Sequence, residues 1–235
     1  PTPLGKNHLL SENQSGFRNK RSTLDQLVCL EANIKVSFQA KQKRNRHLIA
    51  IFLDLEKAFD LVWTKGLIAK LNQYGITGRM HRWISNFLTG RQIKTRVGDA
   101  YSTTYTLDNG TPQGSVISPT LFNIMVNNLE GYVHNTVHLS QFADDSGMWK
   151  AGNPNNHKLI AELQQNLDAI TRWADNWGFK ISGTKTVEML FSPHNRQKPE
   201  YPTLYIQGTP IQFVIQTSVL GMLLDENLNW KPHIN

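Results

Sequence analysis

The sequence predicts an α+β fold, in which helices and strands interleave without the strict alternation of a doubly wound sheet. Three observations favour this class. An unbroken apolar run at residues 48–53 predicts a strand that is buried on both faces. Helical spacing of apolar residues predicts helices at about 23–39, 64–74 and 77–89. Short strand-like runs then dominate the chain from Thr186 onward.

The first helix and the buried strand place an acidic residue at the edge of the core. The helix has Ser22 or Thr23 as its expected cap, and the strand ends at Asp54. A carboxylate is therefore expected where a central strand emerges. The basic loop between them, residues 41–46, fits either a solvated loop or phosphate contacts that would be sensitive to salt.

The next segment predicts two helices and a hairpin. Gly75 and Gly90 stand where the two helices should terminate. Residues 91–97 and 101–107 are typical of paired strands around a turn at 98–99.

A second acidic site is predicted in the following segment. The loop at residues 110–114 is rich in glycine and proline, and a helix is expected to start near Pro119. Short strands at 137–142 and 147–150 flank Asp144 and the acid after it, which places the acid pair at a hairpin tip.

One long helix and several short strands complete the prediction. The helix is expected at about residues 154–177, because apolar residues recur there at helical spacing. The strands are expected at 187–191, 204–206, 211–215 and 219–223.

Composition restricts the class of protein. The chain has 235 residues, of which 39% are hydrophobic and 18% charged, as in an ordinary globular protein. A net charge of +7 favours polyanionic partners. The single cysteine, Cys29, excludes a disulfide framework and is expected to fill an apolar helix face. With one cysteine only, an intracellular, reducing setting is expected, and the sequence has neither a membrane-spanning run nor a recognisable signal peptide.

Asp54, Asp144 and Asp145 are suited to hold metal ions. Two-metal nucleotidyl transfer needs hard cations about 3.5–4 Å apart, bound by carboxylates from different chain segments. Folding would have to bring these acids together across 144 − 54 = 90 residues. Taken singly, each acid is more typical of a helix cap or surface turn. The common hydrolase and NTPase motifs are absent from the sequence.

Six segments carry a resemblance to a known family. In chain order they are residues 11–18 running into 22–23, residues 51–60, 110–119 and 142–145, residues 177–179 with 185–186, and residues 220–221 with Asp225, Leu228, Trp230 and His233. Their order and spacing, from about residue 8 to the end, resemble the reverse transcriptase domain of non-LTR (LINE-type) retrotransposons, in particular the jockey-like group. The implied fold is a right-hand polymerase palm, with an antiparallel sheet backed by helices, plus partial fingers.

The resemblance also implies a division of the fragment at residues 1–235. Residues 1–46 and 61–107 would form fingers and palm-flanking helices and hairpin, 47–60 and 108–218 the palm, and 219–235 the primer-grip region. A thumb and the first fingers segment would be missing. The chain is therefore expected to be a piece of a longer protein.

By the same resemblance, the protein would add deoxynucleotides to a primer 3′-hydroxyl. Asp54 and Asp144 would bridge two Mg²⁺ ions, for which Mn²⁺ is a possible substitute. Asp145 would support the same cluster, and the carbonyl of Leu55 would add a metal ligand. The implied partners are an RNA template, a DNA primer and a dNTP, and the implied location is the nucleus and cytoplasm of a eukaryotic cell. The oligomeric state is left open.

Five further residues would contact the nucleotide. The amides near Lys57 and Ala58 would face the triphosphate, and Phe59 would exclude a 2′-hydroxyl. Gln113 would lie along the nascent base pair, and Lys185 would steady the pyrophosphate. Without the surrounding motifs, Phe59 would be as well explained as a core aromatic residue. Lys185 would then be a solvated surface charge.

Three alternatives accompany this interpretation. An RNA-dependent RNA polymerase shares the palm and could use Asp60 to read a 2′-hydroxyl, but Phe59 and Ala143 argue against it. A two-metal nuclease would leave Phe59 and Gln113 without a role. A non-catalytic nucleic-acid-binding remnant needs only the basic surface and aromatic residues. The fourth palm motif also departs from the family pattern, with Ser182 and the following glycine in place of an asparagine.

Overall fold

A five-stranded sheet forms the centre of the structure, a computed structural model that describes residues 9–193 and 199–229. From one edge to the other its strands are β11 (Gln212–Phe213), β8 (Val187–Phe191), β1 (His47–Leu53), β7 (Asp145–Gly152) and β6 (His138–Phe142). Neighbouring strands are antiparallel except β8 and β11, which are parallel.

Strand β1 occupies the middle of the sheet because both of its faces are apolar. Ile49 and Ile51 belong to the larger core cluster, whereas Leu48 and Ala50 belong to a smaller cluster. The apolar run at residues 48–53 is therefore the central strand, as predicted.

Helices lie on both sides of this sheet. Within the described residues they are α1 (Thr23–Phe38), α2 (Thr64–Gln73), α3 (Gly78–Leu88), α4 (Ser118–Val126) and α5 (His157–Trp177), with 3₁₀ turns at Lys43–Asn45 and Asn127–Tyr132. Helices α2 to α5 contribute to the larger cluster, and α1 contributes to the smaller one. None of the described helices is long and apolar enough to cross a membrane.

The ends of α5 show how local sequence sets an element. Its amino end is capped by Asn156, whose side chain accepts the amide of Lys158 at 3.0 Å. Its carboxyl end is Gly178, in the left-handed conformation at φ 75°. The helix thus begins three residues later than the predicted residue 154, because the Asn156 cap sets its first residue.

Only some of the apolar residues of α1 are buried. Leu27, Leu30 and Ile34 are buried, whereas Leu24 is 62% exposed. Cys29 is also exposed, so its expected position on a packed apolar face is wrong. Apolar spacing located the helix, and the position of the sheet determined which side is covered.

The remaining strands form two-stranded units. They are β2 (Arg91–Ile93) with β5 (Tyr105–Leu107), β3 (Arg96–Val97) with β4 (Ala100–Tyr101), β9 (Tyr205–Ile206) with β10 (Thr209–Pro210), and β12 (Gln216–Val219) with β13 (Met222–Asp225). The prediction of one strand at 219–223 is wrong. Leu220 and Gly221 have φ values of 50° and 82°, so a turn divides this segment into a hairpin. Trp230 and His233 lie outside the described residues.

Candidate active site

Asp54 follows the last residue of β1, where the chain is fixed by a second contact. Leu55 pairs with Ile181 in an isolated antiparallel bridge, and the amide of Ser182 donates to the carbonyl of Asp54 at 2.8 Å. Hydrogen bonds lie on either side of the Leu55 pair and leave the carbonyl of Leu55 itself directed away from Ile181. A carboxylate and a backbone oxygen are therefore presented together at the end of the central strand.

Asp144 lies in the two-residue turn between β6 and β7. Phe142 and Asp145 are the last paired residues, and Ala143 has φ 57°. A positive φ at the first central residue is a feature of type II′ turns, which suit the twist of a hairpin. Because β7 is the neighbour of β1, this turn stands beside the strand end that carries Asp54.

An open cleft of about 660 Å³ brings most of the predicted residues together. Eight of the nine predicted site residues line it: Asp54, Leu55, Lys57, Ala58, Phe59, Gln113, Asp144 and Lys185. Its volume is in the range of ligand-binding pockets, roughly 300–1,000 Å³. The structure therefore gathers residues that are separated by up to 185 − 54 = 131 positions.

Asp145 is the ninth predicted residue, and it lines a different space. It borders a small cavity of about 70 Å³ between the sheet and α1, together with Leu27 and Trp149. Side chains along a strand alternate between faces, and Asp145 shares its face with Trp149, two pairs further along β7. Asp144 and Asp145 therefore point to opposite sides of the hairpin.

The three carboxylates nevertheless interact electrostatically. Burial raises the pKa of Asp145 above its usual value, and the negative charges of Asp144 and Asp54 raise it further. Among the described residues, no three His, Cys, Asp or Glu side chains form a ready metal-binding group. The donors that share the cleft are two carboxylates, from Asp54 and Asp144, and the carbonyl of Leu55.

One carboxylate oxygen of Asp54 is suited to bind a cation. Its Oδ2 atom is buried and accepts no hydrogen bond, which is costly for a carboxylate. The Nζ atom of Lys185 lies 3.6 Å away, and the lysine side chain is 71% exposed. A cation bound between Asp54 and Asp144 would satisfy this oxygen.

Phe59 is held in the cleft wall by other rings. Its ring stacks on Phe122, with centroids 4.5 Å apart and an interplanar angle of 22°. Phe17 contacts it edge-on at 6.2 Å. Phe59 therefore lines the cleft and also packs on the core, so the two interpretations of this residue are compatible.

The loop that carries Gln113 is attached to the segment after Asp54. The amide of Thr111 donates to the carbonyl of Phe59 at 2.8 Å. A Cβ atom on Gly110, which has φ 91°, would lie 2.7 Å from the carbonyl oxygen of Asp60. The Nε2 atom of Gln113 donates to Oδ1 of Asp60 at 3.0 Å. Asp60 therefore orients the side chain of Gln113.

The turn at Lys57 exposes backbone donors. Lys57 has φ 44°, and its carbonyl accepts the amides of Asp60 and Leu61 at 2.8 and 3.0 Å. Within the described part of the chain, the amides of Lys57, Ala58 and Phe59 donate to no acceptor. Successive free amides of this kind favour anions.

Six further residues line the same cleft but were not among the predicted site residues: Phe17, Gly114, Ser115, Val116, Ser118 and Pro119. Of these, Phe17 is 54% exposed and Val116 is 93% exposed. All six lie inside the motif segments, which is the signal that could have identified them. At the fourth palm motif, the amide of Ser182 donates to the carbonyl of Asp54.

The fold and this cleft define the palm of a template-dependent polymerase. Carboxylates stand at the end of the central strand and at the neighbouring hairpin, with an antiparallel sheet below and helices behind it. The chain belongs to the reverse transcriptase (RNA-dependent DNA polymerase) family, whose sequence profile matches residues 2–219.

Two relatives illustrate this membership. The chain is 28% identical over 245 residues to the probable RNA-directed DNA polymerase from transposon BS of Drosophila melanogaster, covering 98% of this chain and 25% of that protein. It is 28% identical over 231 residues to the RNA-directed DNA polymerase from mobile element jockey of Drosophila funebris, covering 94% and 24%. The chain thus spans about a quarter of the length of these relatives, and the predicted jockey-like resemblance is confirmed.

Solved telomerase structures share the fold. Apo telomerase from Candida tropicalis, truncated from its C-terminal domain, matches with a TM-score of 0.59 and 11% identity, covering 92% of this chain and 40% of that one. Telomerase from Candida albicans, in complex with a fragment of telomeric RNA, gives a TM-score of 0.56 at 11% identity, covering 92% and 36%. At such identity the likeness supports the α+β palm alone.

Proposed function

We propose that this chain is the catalytic core of an RNA-directed DNA polymerase that adds deoxynucleotides to a primer 3′-hydroxyl. The observation that carries this proposal is the meeting of Asp54 and Asp144 in one cleft with Phe59 and Gln113. Membership of the reverse transcriptase family supports the chemistry. The names of the relatives support the choice of RNA as template and DNA as product.

Reverse transcriptases are generally dependent on divalent metal ions, and we assign two Mg²⁺ ions to this site, with Mn²⁺ as a substitute. Asp54, Asp144 and the Leu55 carbonyl would hold them, and Asp145 would add negative charge from the far side of the hairpin. When bound, the ions would lower the pKa of the primer hydroxyl and neutralise the leaving pyrophosphate. The Oδ2 atom of Asp54, which accepts no hydrogen bond, supports this assignment.

The nucleotide would lie between the Lys57 turn and the Gln113 loop. The free amides of Lys57 and Ala58 would face the triphosphate, because successive unpaired amides favour an anion. The ring of Phe59, fixed by its neighbours, would occupy the space that a 2′-hydroxyl needs. Lys185, beside Asp54, would steady the pyrophosphate as it leaves.

The proposed partners are an RNA template, a DNA primer and a dNTP. A net charge of +7 suits nucleic acid, because neutralising phosphates releases counterions. The division into fingers, palm and primer-grip segments belongs to the same proposal.

Primer extension on an RNA template, with deoxy- or ribonucleotides and Mg²⁺, tests this function. The wild-type protein should extend with deoxynucleotides, and Phe59→Ala should increase ribonucleotide use. Preference of the wild type for ribonucleotides would indicate an RNA polymerase. Strand cleavage without nucleotides would indicate a nuclease, and template binding without extension a non-catalytic remnant.

A further inference from the structure

The turn that carries Asp144 holds an unfavourable backbone conformation. Ala143 has φ 57°, a region that costs an L-residue roughly 1–2 kcal/mol. Ala143 is also buried, at 7% exposure, so its amide and carbonyl need partners inside the protein.

A single side chain supplies both partners. The amide of Ala143 donates to Oε1 of Gln14 at 2.9 Å, and Nε2 of Gln14 donates to the carbonyl of Ala143 at 3.2 Å. Gln14 is only 1% exposed, and the same Oε1 accepts the amide of Gly16 at 2.7 Å. A carboxamide suits this task because it presents a donor and an acceptor in one plane.

The segment around Gln14 is itself attached to the catalytic hairpin. The amide of Ser15 donates to the carbonyl of Gln141, and the amide of Gln141 donates to the carbonyl of Asn13, both at 2.9 Å. Residues 13–15 therefore extend the sheet by one short parallel contact beside β6. This contact fixes the position of Gln14 relative to the turn.

Two further residues close the arrangement. A Cβ atom on Gly16 would lie 2.2 Å from the amide nitrogen of Ala143, so only glycine permits this approach. Asn123 of α4, which is buried, donates to the carbonyl of Gly16 at 2.8 Å. The turn is thus held by Gln14, 129 positions away, and Gly16 beside it is bonded by Asn123, 107 positions from that glycine.

We propose that Gln14 is a positioning residue that places the carboxylate of Asp144 opposite Asp54 through the backbone of Ala143. The inference rests on the proposed function for its catalytic consequence, whereas the clamp itself rests on the geometry of Gln14 and Ala143. Without the carboxamide, the turn relaxes to more favourable φ values and carries Asp144 out of register with Asp54. Metal binding and turnover then fall, while nucleotide affinity is little changed, because the Lys57 and Phe59 surfaces remain in place.

Gln14→Leu removes both hydrogen bonds to Ala143 and the one from the amide of Gly16, and Gln164→Leu is the control for loss of a carboxamide pair. Gln164 makes the same pair of carboxamide bonds to the backbone of Tyr205, each at 2.9 Å, away from the cleft. Gln14→Glu keeps the acceptor, loses the donor and sets a buried carboxylate against the carbonyl of Ala143. Amide hydrogen exchange, kcat and KM for dNTP, and the Mg²⁺ dependence of both activity and thermal unfolding are measured for each protein.

In Gln14→Leu, amide exchange at Ala143 should be at least roughly tenfold faster, the scale expected for losing two hydrogen bonds. Its kcat should fall by roughly tenfold or more on the same scale, with KM within about twofold and a higher Mg²⁺ requirement. Gln14→Glu, which buries an unpaired carboxylate, should lose at least as much, and Gln164→Leu should change none of these values.

Wild-type kcat and Mg²⁺ dependence in Gln14→Leu would overturn the proposal. Exchange accelerated throughout the chain in both Gln14 variants would also overturn it, since that indicates a merely structural residue. If the wild type adds no nucleotides, the proposed function fails, whereas the exchange at Ala143 and the Mg²⁺-dependent unfolding still decide whether Gln14 clamps the turn.

Discussion

The catalytic hairpin of β6 and β7 and the hairpin of residues 91–107 differ in what surrounds their turns. The turn at Ala143 and Asp144 is hydrogen-bonded by Gln14 and lies beside the central strand. In the other hairpin, every residue from 92 to 106 is exposed. The first turn is fixed by distant side chains, and the second is fixed by its own strands.

The exposed hairpin is attached to the palm at its base. Nη2 of Arg91 donates to the carbonyls of Asn109 at 2.6 Å and Gly110 at 2.7 Å, at the start of the loop that carries Gln113. Beyond this point it presents basic and apolar side chains to solvent. They include Ile93, Lys94, Arg96, Val97, Tyr101 and Tyr105.

Long-range contacts in this fold hold the catalytic turn and leave the exposed hairpin to its own strands. A carboxylate that holds a reacting group must stay within tenths of an ångström of its position, so its turn requires partners from other segments. An exposed surface that meets a long polymer does not need that accuracy. Four predictions test this difference between the catalytic hairpin and the exposed hairpin.

Asp144→Asn should have the largest effect. Removal of a metal-binding charge costs several kcal/mol of transition-state stabilisation, so nucleotide addition should fall by about a thousandfold or more. Template binding should stay within about twofold, because the contacts with phosphate are elsewhere. Primer extension and fluorescence anisotropy measure the two quantities. Asp175→Asn, an exposed acid on α5, is the control, and equal losses in both variants would contradict the assignment.

Gly16→Ala should destabilise the protein by about 3 kcal/mol, the upper end of overpacking costs, because its Cβ atom would meet backbone that cannot rotate away. Gly131→Ala, where nothing lies within 4 Å, should change the free energy of unfolding little. Urea denaturation compares the two variants. If Gly16→Ala and Gly131→Ala have equal free energies of unfolding, then residues 13–16 do not pack closely against the turn.

The sheet beneath the catalytic hairpin should show a pH-dependent stability that depends on Glu188. Burial raises the pKa of this carboxyl from 4.5 to about 6, and the hydroxyl of Tyr201 donates to it. Because the folded protein keeps the proton to a higher pH, this stabilisation is complete below pH 4.5 and is lost as the pH rises through about 6.

The loss should be about 2 kcal/mol, from a difference of 1.5 between the two pKa values. Glu188→Gln should abolish it, as measured by urea denaturation between pH 4.5 and 7. If the free energy of unfolding changes equally with pH in the wild type and in Glu188→Gln, another group is responsible.

Tyr101→Ser, in the exposed hairpin, should have the smallest effect on the fold. Tyr101 is 62% exposed, so the free energy of unfolding should change by about 0.5 kcal/mol or less. Affinity for a template–primer duplex is measured in parallel by anisotropy for Tyr101→Ser and the wild type. A large loss of stability would show that this hairpin packs against more of the protein than its exposure indicates.

Sequence alone determined the elements whose signals are local. The apolar run at 48–53 and the spacing in α5 specify a strand and a helix from neighbouring residues. The motif segments then indicated Asp54, Asp144, Phe59 and their neighbours, because the order of residues along the chain carries the family resemblance. The assigned roles of these residues, and the domain boundaries, stay predictions.

Tertiary structure alone decided which groups meet. Gln14 reaches Ala143 across 129 positions, and no local pattern around either residue announces that pair. Tertiary packing also places the side chain of Asp145 on the side of β7 that faces α1. It leaves Leu24 exposed to solvent. The physical reason is that periodicity encodes only the conformation of a segment, whereas its neighbours are set by how all segments share one core.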